Sequence, residues 1–193
     1  MSARGTSRGI VTAEFALVLV VFMTCVCALL ELVRAMYLFG TLSMVTQRAA
    51  VLAANANFRD AAALQQVREQ ALFRNSPGTL IMGAPVSDAY VRISYLSLSG
   101  PQGAMIAPIA AGALPACPVD NRVACLRDPY GSACIRLVKV QICDPAFEAT
   151  CERVAYRSVF SSLPLPLKLP SAPAIAPAET LGAMPGDAPC GTP

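Results

Sequence analysis

The side chains here with chemistry to offer are cysteines and carboxylates, since the sequence has neither histidine nor tryptophan. Six of its eight cysteines (Cys117, Cys125, Cys134, Cys143, Cys151 and Cys190) follow residue 116. An even number crowded into the later part of a chain reads as a disulfide framework formed in an oxidising compartment. A zinc site asks for close ligand pairs such as C-x2-C, often with His, and this region has neither, so no metal is expected. Cys143 and Cys151 flank a strand-turn-strand pattern with seven residues between them, and the two are expected to bond to each other. Closing that loop contributes on the order of 2–3 kcal/mol on the chain-entropy model. Cys117, Cys125, Cys134 and Cys190 leave three pairings open.

Without His, Ser-His and Cys-His mechanisms are absent. The outer acids Asp88, Asp120, Asp128, Asp144, Glu148 and Glu152 form no metal-like cluster, and no glycine-rich phosphate loop follows a strand. The expectation is therefore no enzyme and no cofactor. The formal charge is +3, with Lys and Arg scattered beyond the first residues and no aromatic platform, which gives nucleic-acid binding no support.

The remaining carboxylate of interest is Glu14, the single charge in the 21 residues Ile10–Leu30. As a helix these span about 31 Å, matching the roughly 30 Å of a bilayer core. An ionisable group in such a span is costly, about 2.5–3.5 kcal/mol at the bilayer centre on insertion scales, and so usually has a purpose. A position near the cytoplasmic interface would let it reach water at little cost. A cleaved secretory signal has a shorter apolar region with a small-x-small site soon after it, and Ala54-Asn55-Ala56 lies too far downstream. Cys25 and Cys27 sit in poor contexts for lipid attachment. The segment reads as an anchor. Arg4, Arg8 and the amino terminus favour a cytoplasmic leader, Arg34 and Arg48 nearly balance them, and the late cysteines decide for a cytoplasmic N-terminus.

These groups must be positioned by an α+β chain. A basic leader, residues 1–9, precedes a transmembrane helix over 10–30 and a helical stalk over 31–75. Glu31 and Arg34 form an i,i+3 pair suited to the outer interface. Leu38, Leu42, Val45, Ala49, Leu52 and Ala56 make an apolar stripe on one helix face, packed either on the chain's own domain or on neighbouring helices. Asn55-Ala56-Asn57 interrupts, Asp60 caps a second helix to Arg74, and Asn75-Ser76-Pro77-Gly78 ends it. A small antiparallel sheet domain with disulfides is expected over 76–161. Its strands are Tyr90–Leu98, Ile135–Cys143 with a bulge at Leu137-Val138, and Arg153–Phe160, with a long loop over 104–133. The tail over 162–193 holds eight of the 16 prolines, which predicts an extended, poorly packed segment.

Gly9-Ile10-Val11-Thr12-Ala13-Glu14-Phe15 joins a glycine ending a basic leader, an immediate apolar helix and a carboxylate five residues in. This resembles the prepilin class, and Glu14-Phe15 resembles its Flp/Tad branch, since ordinary type IV pilins have Phe directly after the cut. Val11–Leu17, Glu31-Leu32-Val33-Arg34 and Gln47-Arg48-Ala49-Ala50 are similar to the TadE-like minor pseudopilins, as is the later Ala178-Glu179-Thr180-Leu181-Gly182. The likeness runs over about residues 9–56 and is architectural beyond; the six outer cysteines are not part of the family's pattern. It implies a non-enzymatic component of the Tad (Flp) tight-adherence pilus in the bacterial inner membrane, with its C-terminal domain periplasmic. The partners it implies are the membrane, a prepilin peptidase cutting between Gly9 and Ile10, other pilus subunits and the inner-membrane assembly platform. Glu14 and Phe15 would then serve assembly. Two other readings are an uncleaved single-pass envelope protein with an outer ligand- or partner-binding domain, and a pseudopilin of a type II secretion system.

Overall fold

Apolar continuity builds the first element. The structure, a computed structural model, describes residues 7–100, 105–147, 150–160, 166–187 and 190. Helix α1 runs unbroken from Ser7 to Asn55, 49 residues and about 74 Å long. Its two halves meet different surroundings. Residues 11–25 are exposed throughout, and from Glu31 onward one face is buried. Along that face lie Ala35, Leu38, Leu42, Val45, Ala49 and Ala53, with Leu38 and Leu42 fully covered. Burying each of these leucines is worth about 1.5–3 kcal/mol. The stripe packs on the chain's own sheet and second helix, which settles the choice between its own domain and neighbouring helices.

Asp60 ends the break after α1. Its carboxylate accepts from the amides of Ala62 (2.9 Å) and Ala63 (3.2 Å), capping α2, Ala61–Ala71. Val67, Ala71 and Leu72 turn inward against α1. A loop then leads to β1, Val91–Ser99. Asp88 holds this loop, accepting from Gln65 Nε2 (2.8 Å) and the Gly78 amide (3.1 Å).

Among the described residues, four antiparallel strands lie in the order β2-β1-β3-β4. β2 is Met105–Pro108, β3 is Leu137–Ile142 and β4 is Ala174–Pro177. The pairs Val91↔Ile142, Ile93↔Val140 and Tyr95↔Val138 set one face of the sheet against α1, extended by Ala174 and Ala176 of β4. Arg92, Ser94, Lys139 and Gln141 alternate onto the other face, as the two-residue period requires.

Several expectations are corrected. The stretch 104–133 is not one loop: it contains β2, a 3-10 turn at Ala111–Ala113, and helix α3, Pro118–Arg127. α3 escapes a periodicity test because it is short and only weakly amphipathic, with Pro118 and Asn121 as its buried residues. Its position is fixed by Asn121, whose Oδ1 accepts from the Ile135 amide (2.8 Å), and by a disulfide from Cys125. No bulge occurs at Leu137-Val138, since the β1–β3 register is continuous from Val91↔Ile142 to Leu96↔Leu137. The apparent slip arises because Ile135, buried against Asn121, precedes the strand. Arg153–Phe160 is not a sheet strand. Val154 and Tyr156 are buried, but their backbones bond residues 167–169, with one bridge at Ala155↔Lys168. The sheet edge belongs instead to β4, from the proline-rich stretch. That stretch is extended, as expected, but it is packed, with Leu169 and Leu181 each 1% exposed. Pro is tolerated in β4 because an edge strand leaves one row of amides without a ladder partner.

Three disulfides staple the later half. Cys143 joins Cys151 with Cα atoms 4.8 Å apart, inside the usual range. Cys125 joins Cys134, and Cys117 joins Cys190 across 73 residues, one of the three schemes the spacing left open. Arg92 bonds the carbonyls of Phe147 and Thr150 and so pins the turn within the Cys143–Cys151 loop to β1.

Candidate anchoring and assembly site

Gly9 and Ile10 lie in the first turns of α1, and Glu14 and Phe15 follow on the exposed part of the same helix. Phe15 is 67% exposed, and among the described residues no ion pair reaches Glu14. The structure brings none of the six outer cysteines near this end; they lie in the domain that follows the span. Arg4 and Glu148 lie outside the described residues. Among the described residues no group of three or more His, Cys, Asp or Glu is placed to hold a metal ion.

One turn beyond the span, the sequence pair Glu31 and Arg34 becomes the centre of a polar lock. Glu31 is 1% exposed. The Tyr156 hydroxyl donates to its Oε2 at 2.5 Å, and the amides of Val159 (2.5 Å) and Phe160 (2.9 Å) donate to Oε1. The Ser158 hydroxyl lies 2.8 Å from the same Oε1. Burial alone would push this carboxyl up, but the donors from Tyr156, Phe160, Ser158 and Val159 outweigh it and hold the pKa at about 2. The site thus keeps a buried carboxylate ionised by surrounding it with hydrogen-bond donors. Burial, and the bond it donates to Glu31, push the Tyr156 phenol up.

Arg34 spreads the same lock outward. Its guanidinium sits 3.8 Å from Glu31 and donates to the carbonyls of Met82 (3.1 Å), Ala84 (3.1 Å) and Arg157 (2.6 Å) and to the Tyr156 hydroxyl (3.2 Å). A rigid planar fork suits this multiple role better than an ammonium would. Two loops far apart in sequence are therefore tied to one turn of α1. The partners Tyr156 and Ser158 were not legible in the sequence, although an acid beside a long apolar run was a signal that donors must be found elsewhere.

A second clamp closes the far end of the stalk. The amides of Glu179 (3.2 Å) and Leu181 (3.1 Å) both donate to the Ala54 carbonyl. Leu181 is buried among the α1 side chains, and Gly182 follows with φ +82°. A Cβ on Gly182 would meet the Asn57 backbone nitrogen at 2.7 Å, so only glycine fits both the dihedral and the space. Between the clamps, Arg48 lies 4.7 Å over the Phe73 ring while Ala49 and Ala50 are buried. All three segments singled out after the span, at 31–34, 47–50 and 178–182, thus seat the domain on the stalk.

The model of a family described as TadE-like protein matches residues 9–51 of this chain. That segment runs from Gly9 through the exposed apolar half of α1 and the Glu31-Arg34 lock to Val51. No curated protein and no solved structure matches the chain. α1 is long and apolar enough to cross a membrane. Together the match and this helix support a single-pass membrane protein related to the Tad pilus.

Proposed function

We propose that the chain is a minor pseudopilin of the Tad (Flp) pilus, a structural component with no catalytic activity and no cofactor of its own. It is inserted in the bacterial inner membrane with its N-terminus cytoplasmic and its disulfide-bonded domain periplasmic, where thiols oxidise. A prepilin peptidase cuts after Gly9. The observation that carries this reading is the alignment of Gly9, the apolar span and Glu14 at the head of one helix, inside the segment the family model matches.

Cleavage removes Arg4 and Arg8 and leaves a new α-amine on Ile10 at the membrane edge. The charges that held the segment at the cytoplasmic face are gone, and the poorly solvated amine needs an anion. Glu14 lies just over one helical turn away, so it serves the amine of its own chain or that of a neighbour shifted along the fibre axis. Such a pair offsets the desolvation of two charges and sets register more than it adds stability. The domain's partners are other pilus subunits and the assembly platform.

Gel mobility tests the cleavage. The wild-type chain should run smaller in cells that contain the peptidase than in cells that lack it, and Gly9→Leu should run at the larger size in both. A wild-type chain of one size in both strains overturns the reading in favour of an uncleaved envelope protein.

A further inference from the structure

The exposed apolar surface does not stop where the span ends at Leu30. On the helix, Val33 is 63% and Met36 is 67% exposed. Two loops of the folded domain carry Met82 (69%) and Val159 (63%) to the same level. That level is fixed by the lock, since Arg34 Nε bonds the Met82 carbonyl and the Val159 amide bonds Glu31. A mostly apolar crevice of about 420 Å³ opens between helix and loops, lined by Leu30, Val33, Tyr37, Met82, Val159 and Phe160, with Glu31 and Arg34 also in its wall. The two charges at this level, Glu31 and Arg34, are turned inward, with side chains 1% and 10% exposed. Arg157 is exposed in the loop that carries Val159.

Depth follows from helix rise. Glu31 to Arg34 lie about 2–6 Å beyond Leu30. A bilayer's headgroup zone is about 5–8 Å thick on each side of its hydrocarbon core. We propose that this collar, centred on Met82 and Val159, is a lipid-docking surface, so that the domain rests in the headgroup layer rather than standing clear of the membrane on its stalk. The occupant is the bilayer surface because the collar continues the exposed apolar face of the span, which runs on from Leu29 and Leu30 through Leu32 and Val33 to Met36. Arg157 is placed to keep its charged end among lipid phosphates. The inference rests on the reading that α1 crosses the membrane.

The chain has no tryptophan, so a single introduced one reports alone. Four variants of the full chain are reconstituted in phosphatidylcholine vesicles: Val20→Trp in the span, Met82→Trp and Val159→Trp in the collar, and Met184→Trp beside the far clamp. That clamp binds Ala54, 24 residues and about 36 Å beyond Leu30. Fluorescence is read with and without lipids brominated along the acyl chain. Val20→Trp, Met82→Trp and Val159→Trp should lose fluorescence to bromine, the collar pair most with bromines near the head end of the chain, and Met184→Trp should not. Quenching of Val20→Trp alone overturns the lipid surface while leaving the span intact. No quenching at any site overturns the spanning reading and the docking surface with it.

Discussion

Replacing Glu31 with glutamine tests the lock at the base of the domain. Glutamine keeps the shape and one acceptor oxygen, but its amide group faces donors already in place from Tyr156, Ser158, Val159 and Phe160. The fall in the Glu31 pKa from 4.5 to about 2 corresponds to about 3 kcal/mol at roughly 1.36 kcal/mol per unit. The side chain is covered, yet it lies at the margin of the domain beside an open crevice, so solvent screening lowers this to about 1–2 kcal/mol. The donor left facing donors adds about 1 kcal/mol. A total of about 2–3 kcal/mol lowers the melting temperature by about 4–12 °C for a chain of this size. The assay is thermal unfolding of the oxidised full chain in detergent micelles, wild type against Glu31→Gln. Because the folded-state pKa lies below the ordinary value, the unfolded chain takes up the proton first and acid favours unfolding. The charge-dependent part of the gap between the two proteins is thus full above about pH 4.5 and shrinks as pH falls toward about 2. Coincident melting at neutral pH, or a gap that acid leaves unchanged, refutes the reasoning.

At the far clamp, Gly182→Ala should cost about 2 kcal/mol or more, because alanine strains the positive φ and meets the Asn57 backbone; urea unfolding checks it. Replacing Cys117 and Cys190 together by alanine opens a 73-residue loop, worth about 4 kcal/mol on the chain-entropy model, and should make residues 166–187 the first site of limited proteolysis. Glu14→Leu should still insert in the membrane but fail to support piliation when it is the only copy expressed, scored by fibre counts in electron micrographs.

What the sequence made legible was what depends on local order. The span over 10–30 and the stripe from Leu38 to Ala49 follow from composition and a three- to four-residue spacing, and the Asp60 cap from one side chain's reach. The Cys143–Cys151 pair was readable because its loop is short. Elements held by distant partners were not. β2 is four residues of edge strand whose place comes from β1, and β4 comes from a proline-rich stretch that reads as extended but not as paired. Residues 153–160 alternate like a strand because Val154 and Tyr156 face the core, yet the sheet edge they would occupy is already filled. The Glu31 lock spans about 125 residues of sequence, and no local pattern announces a donor that far away.

The second clamp also governs the order in which the molecule can acquire its shape. Ala54 belongs to the first element made, while Leu181, whose amide bonds the Ala54 carbonyl, belongs to a turn that follows β4. β4 completes the sheet over α1 only when residues 174–177 arrive, and Cys117 waits for Cys190. As synthesis proceeds from the N-terminus, the face from Leu38 to Ala54 therefore lacks part of its cover until β4 is threaded. Contacts of such long sequence separation close late and slowly. A chain arrested short of Leu181 has an anchored, apolar helix and no finished domain to hide it.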